Sequence, residues 1–163
     1  MSDDTQWLKP DEIRAWLAVA SLLEVLPAVL NSQLKSDIGI NHFEYMLLAG
    51  LSESPNRSTP MSDLAAFAAG SISRVSHALT RMENRGWVRR CAREGIGGQL
   101  TVVLTDDGMD VVRQAAPGHV TQVRELVVDR LGTERTIEFG RMAEAILKQV
   151  NPIGYKLITE RYP

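Results

Sequence analysis

Cysteine is almost missing from this chain of 163 residues: Cys91 stands alone, so no intrachain disulfide can form and nothing calls for an oxidising compartment. Histidine is nearly as scarce. His42, His77 and His119 are scattered, no HExxH pair occurs, and one cysteine cannot complete a structural zinc site, so no metal centre is expected. There is no GxSxG elbow and no glycine-rich loop opening a helix, which leaves neither a hydrolase nor a phosphate-cradling nucleotide site. The chain is therefore read as a non-enzyme without cofactors. Its start, MSDDTQWLKPDEIRAW, lacks the basic residues and apolar run of a secretory signal, and no stretch reads as the roughly 20 apolar residues of a bilayer span. A cytoplasmic protein with no membrane segment is expected. Aromatic residues are few while alanine, valine and leucine abound, a bias toward helices.

What the chain does contain is a local excess of positive charge. Its formal net charge is −2, yet GSISRVSHALTRMENRGWVRRCAR, residues 70–93, holds six arginines (Arg74, Arg81, Arg85, Arg89, Arg90, Arg93) against one acid, Glu83. That segment is net +5, which leaves −7 for the rest. Solvated charged helices usually mix their signs; unmixed sign on one segment suggests an anionic partner.

Apolar spacing organises the remainder. Ile13, Trp16, Leu17, Ala20, Leu23 and Leu26 recur at three and four residues after Asp11 and Glu12, which predicts one long helix over 11–35 with a kink or a break at Pro27. Gly39 stops it, and Asn41 with Glu44 forms a capping box for a second helix carrying Phe43, Met46, Leu47 and Leu51. After the polar loop SESPNRSTP, a short helix opens at Pro60-Met61-Ser62-Asp63, and another follows at Ser71 beyond Gly70. Two short helices joined by a glycine-containing turn have the spacing of a helix-turn-helix.

Laid out at about 100° per residue, the second of these helices separates its chemistry. Ile72, Val75, Leu79 and Met82 fall on one side; Ser73, Arg74, His77, Arg81 and Asn84 fall on the other, with Glu83 projecting between. Short hydroxyls and arginines are side chains that reach phosphates and base edges. Beyond Gly86, the β-rich runs WVRRCAR and LTVVLT bracket Gly95, Gly97 and Gly98, a predicted hairpin. Thr105 then caps a helix running to Leu131 and bent near Pro117-Gly118, Gly132 ends it, and a last helix carries Ile137, Phe139, Met142, Ile146 and Val150. The terminus NPIGYKLITERYP is left unclassified.

The residues SISRVSHALTRMENRGWVRR and VLTDDG resemble the recognition helix, first wing strand and following helix start of the MarR family of bacterial transcriptional regulators. The resemblance extends over nearly the whole chain. It implies a mainly α protein with a small β-hairpin wing: a winged helix-turn-helix over 41–105, flanked by dimerisation helices over 1–40 and 106–163. It further implies a homodimer on a palindromic double-stranded DNA operator, most often a repressor, and a small aromatic or lipophilic effector. DNA contacts are expected from Ser71, Ser73, Arg74, His77 and Arg81, with Arg90 and Arg93 on the wing side. Trp16, His42, Tyr45 and Met46 stand where the family's effector pocket forms, between the first two helices and the fifth. One departure is evident: the family's wing-tip Asp-x-Arg stretch is replaced by Ile96, Gly97 and Gly98, leaving Arg93 as the nearest substitute.

Several residues carry two readings at this point. His77 can contact DNA or simply cover the helix; Arg89 and Arg90 alternate on a strand, so only one faces phosphate; Arg85 can pair with an acid instead. Cys91 is read as structural rather than as a redox switch, since no second cysteine in its chain could resolve a sulfenic acid. Trp16, His42, Tyr45 and Met46 can equally be core or dimer interface. The competing function is a winged-helix interaction module that has lost specific DNA binding.

Overall fold

A computed structural model describes residues 5–92 and 100–162. Arg93 and the glycines of the expected wing tip lie outside the described residues. The first helix, α1 (Pro10–Ile38), begins with Pro10 in its first turn, where a missing N–H costs nothing, and Glu12 accepts a hydrogen bond from the Lys9 N–H at 2.7 Å. It ends at Gly39, whose φ of +72° is the left-handed C-cap that glycine adopts freely. Pro27 lies inside the helix, which continues through it to Ile38, so the break anticipated as one outcome there does not occur.

α1 is longer and more apolar than the sequence reading allowed. By length and composition alone it could cross a bilayer, and most of it is unburied within a single chain. Only toward its C-terminal end do Leu30 and Leu34 become buried, where the helix meets the segments 42–52 and 106–123.

α2 (His42–Ser52) carries the expected capping box: Asn41 Oδ1 accepts from the Glu44 N–H at 2.8 Å, and Glu44 Oε2 accepts from the Asn41 N–H at 3.4 Å. α3 (Met61–Phe67) and α4 (Ile72–Asn84) form the helix-turn-helix. Strands β2 (Val88–Ala92) and β3 (Leu100–Leu104) pair antiparallel as the hairpin reading requires, with Val88 opposite Leu104 and Ala92 opposite Leu100. The loop reading of SESPNRSTP misses a third strand, β1 (Ser58–Pro60), which pairs with β3 and makes β3 central. Three residues ending in proline carry no alternation to read, and proline is tolerated because β1 is an edge strand.

Thr105 caps α5 (Asp106–Val123), accepting from the Gly108 N–H at 3.1 Å and donating its hydroxyl to the Gly86 carbonyl at 2.6 Å. The helical path continues through a π-helical turn, Arg124–Val128, and α6 (Asp129–Leu131) to Gly132. α7 (Thr133–Val150) follows, and the unclassified terminus forms α8 (Pro152–Arg161). α8 docks on α3 of its own chain: the Asn151 side-chain amide donates to the Ala66 carbonyl at 2.8 Å, and the Arg161 guanidinium lies 4.8 Å from the centre of the Phe67 ring.

One core joins these elements. Leu34 and Ile40, Leu47, Leu48 and Leu51 of α2, Leu64 of α3, Val75, Leu79 and Met82 of α4, Val102 and Leu104 of β3, and Ala115 of α5 form a single buried cluster. Outside it, α1 exposes Leu17 and Leu23 and α7 exposes Ile137, Met142 and Ile146, apolar stripes that the winged portion does not cover.

Candidate nucleic-acid interface

α4 is held by its cap and its core face. The Ser71 hydroxyl accepts from the Arg74 N–H at 3.2 Å, while Val75, Ala78, Leu79 and Met82 anchor the buried side. Ile72, assigned to that side from the helical wheel, is 48% exposed and lies outside the core. Ser71, Ser73, Arg74, His77 and Arg81 are all exposed. The turn before α4 brings Ala69 into a left-handed conformation, φ +48°, and at Gly70 a β-carbon would sit 2.6 Å from the end of the Phe43 ring. Glycine there lets Phe43 lie against the turn.

Two exposed arginines of α4 have partners on α2. The Arg74 guanidinium lies 4.0 Å from the centre of the Phe43 ring. Arg81 places Nε 3.0 Å and Nη2 2.9 Å from Oε1 of Glu44, a carboxylate that is itself only 5% exposed. A carboxylate therefore does reach the arginine side of this helix. The acid comes from α2, which is 37 residues earlier and invisible to a wheel of α4.

On the wing side, Glu83 captures Arg90: its carboxylate accepts from the Arg90 N–H and from Arg90 Nε, each at 2.8 Å, and Arg90 Nη2 also donates to it. Those hydrogen bonds hold the Glu83 carboxyl below its ordinary range. Of the two alternating arginines, Arg89 is exposed and Arg90 is half-buried against Glu83. Arg85 stacks on Trp87 at 4.7 Å and pairs with no acid among the described residues.

The four residues expected in an effector pocket are not brought together. His42 and Met46 line an open cleft of about 780 Å³ whose walls come from α1 (Pro27, Ala28, Asn31), the start of α2, the turn after α3, and α4 through Arg74, His77 and Arg81. Tyr45 is buried instead and packs on His119 of α5, ring centres 4.5 Å apart, while Trp16 stands 55% exposed on α1. His42 and Tyr45, three residues apart, share one side of α2 and both rings meet His119, but His42 stands at the edge of the cleft while Tyr45 is covered by α5.

His42 and His119 also meet, with ring centres 5.8 Å apart. Burial lowers both pKa values below the usual 6.5, and for His119 the neighbouring His42 lowers it further. The unfolded chain takes up protons near 6.5 while the native state resists them, so this contribution to stability is complete above that pH and is lost as pH falls below it. We expect the melting temperature to drop between pH 7.5 and 5.5, well above the range where Glu83 titrates. In His119→Asn that drop should shrink, and thermal melts of both proteins across this range provide the check.

Sequence reasoning singled out neither Phe43, Glu44 nor His119 as part of a site. Glu44 was visible only as a helix cap, and its pairing with Arg81 has no local signal.

Neither a protein-family model nor a curated protein sequence matches the chain. Solved structures do. Sco3205, a MarR family transcriptional regulator from Streptomyces coelicolor solved in complex with DNA, is 37% identical, with a TM-score of 0.84 over 91% of this chain and 92% of its own. AbsC, a MarR family regulator from the same organism, is 36% identical, with a TM-score of 0.82 over 90% of this chain and 98% of its own. NadR in complex with 4-hydroxyphenylacetate shares the fold at 17% identity, with a TM-score of 0.69 over 91% and 99% of the two chains. Identity above one third along nearly the full length of two such regulators, on a capped helix-turn-helix with an adjoining β-sheet, places this chain in the MarR family of transcriptional regulators.

Proposed function

We propose that the protein is a cytoplasmic homodimer that binds an inverted-repeat operator on double-stranded DNA and represses transcription until a small aromatic or lipophilic effector releases it. The observation that carries this reading is the exposed face of α4, where Ser73, Arg74 and His77 stand on a rigidly cored and capped helix. A helix so anchored can enter a major groove with its side chains already aimed. The DNA complex of Sco3205, at 37% identity, supports the same assignment. Residues 41–105 are the DNA-binding part in this scheme, and the apolar stripes in 1–40 and 106–163 are its dimer contacts. The cleft lined by Met46, Phe43 and Phe67, with Arg74 and Arg81 at its polar wall, supports an effector that combines apolar bulk with an anionic or hydroxyl group.

Footprinting and titration on DNA immediately upstream of the protein's own coding region test this proposal. Protection should cover two half-sites about one helical turn apart, since a two-fold dimer presents its recognition helices to successive major grooves. Affinity should exceed that for a scrambled duplex and fall steeply with salt. Equal affinity for both duplexes would instead favour an interaction module without specific DNA binding.

A further inference from the structure

We propose that Phe43 and Glu44, adjacent in the first turn of α2, are positioning residues for DNA recognition: Phe43 aims Arg74, and Glu44 withdraws Arg81 from phosphate neutralisation. The proposal rests on α4 being the DNA-reading helix and assigns roles to two residues that do not lie on it.

The geometry is specific. Phe43 offers its ring face to the Arg74 guanidinium at 4.0 Å, and the ring is itself seated against Gly70, where no β-carbon could fit. An arginine stacked on a fixed aromatic plane loses less side-chain freedom on forming a two-pronged contact with guanine than one waving in solvent. Glu44 divides its carboxylate: Oε2 accepts from the Asn41 N–H and closes the α2 cap, while Oε1 accepts from Arg81 Nε and Nη2. Because the carboxylate is buried and doubly used, Arg81 is held on it and contributes little net charge to the DNA-facing surface. Among the described residues on the exposed face of α4, the remaining arginine, Arg74, is the one on the aromatic seat. Such an arrangement trades non-specific phosphate attraction for directed readout.

The seat also reaches beyond the winged portion. The His42 N–H donates to Asn31 Oδ1 of α1 at 3.2 Å, so the residue preceding Phe43 is tied to the helix that carries the exposed apolar stripe.

Two variants and one spectroscopic measurement test this. Glu44→Gln keeps the acceptor of the helix cap and removes the charge. It should steepen the salt dependence of binding by about 0.9 per protomer, one more phosphate neutralised, and should reduce the ratio of operator to scrambled affinity. Phe43→Leu keeps the apolar bulk and removes the ring. It should relax preference at one position of each half-site by roughly two- to fivefold, with the salt slope unchanged. In the free wild-type protein, NMR should find the Arg81 Nε–H protected from exchange and the Arg74 side-chain methylenes shifted upfield by the ring. The first signature should weaken in Glu44→Gln and the second vanish in Phe43→Leu.

Absence of both signatures from the free wild type overturns the proposal, whatever the DNA does. An operator-selective wild type whose Glu44→Gln variant keeps the same slope and selectivity overturns it as well, leaving the DNA-binding reading intact. A wild type that shows both signatures yet binds operator and scrambled duplexes alike refutes the DNA-binding reading itself.

Discussion

Arg74→Ala is expected to weaken operator binding by about 1 to 3 kcal/mol, roughly five- to 150-fold, and to relax preference at one base position per half-site. The size follows from what the side chain can do. Arginine donates two parallel hydrogen bonds to guanine, and alanine leaves those acceptors desolvated and unpaired. Arg74 is exposed, follows the helix cap by three residues and has no carboxylate partner among the described residues, so its donors remain free for DNA. Arg90 makes an instructive contrast. Its charge is already balanced by Glu83, and Arg90→Ala should leave the salt slope nearly unchanged, whereas Arg89→Ala, at the exposed neighbour, should flatten it if that residue meets phosphate. Anisotropy titrations of all three variants against operator and scrambled duplexes at two salt concentrations separate these outcomes. A uniform loss across both duplexes for Arg74→Ala would mean that it neutralises phosphate and reads no base.

The second large effect concerns assembly. Leu23→Asp combined with Ile146→Asp should convert a dimer at micromolar concentration into a monomer and abolish detectable operator binding. Leu23 is 63% exposed and Ile146 62% exposed in the single chain, and neither belongs to the core that stabilises the winged portion. Burying one such side chain contributes about 1.5 to 3 kcal/mol, and two-fold symmetry counts every substitution twice. Placing four carboxylates in an apolar interface adds a desolvation cost on top of that loss. Sedimentation reads the assembly and circular dichroism the retained helices. A wild type that sediments as a well-folded monomer at micromolar concentration would defeat the homodimer assignment directly.

Much of the architecture can be read locally because its signals are short. Ser71, Thr105 and Asn41 each satisfy N–H groups within three residues, and Gly39 and Gly132 end their helices in left-handed or extended conformations that a following residue can hardly disguise. The separation of Val75, Leu79 and Met82 from Arg74, His77 and Arg81 needs only the pitch of a helix. Ile72 departs from that pattern because a wheel assumes that the core extends along the entire helix, and here it ends one turn short.

Pairing across distance is another matter. β1 exists because β3 offers an edge, and three residues of Ser-Thr-Pro have no pattern of their own. α8 finds its place through Asn151 reaching Ala66, 85 residues away. The sequence by itself determined the helices other than α8, the caps at Asn41, Ser71 and Thr105, the concentration of arginines on α4 and the resemblance that names the family. Only the tertiary structure decided which arginines are free: Glu44 takes Arg81, Glu83 takes Arg90, Phe43 seats Arg74, and His42 and Tyr45 both meet His119 while only His42 lines the cleft. The physical reason is range. Backbone hydrogen bonds and helical periodicity act over about four residues, whereas an ion pair or a stacked ring depends on where two distant segments come to rest, and a charge counted along the chain does not reveal its counter-charge in space.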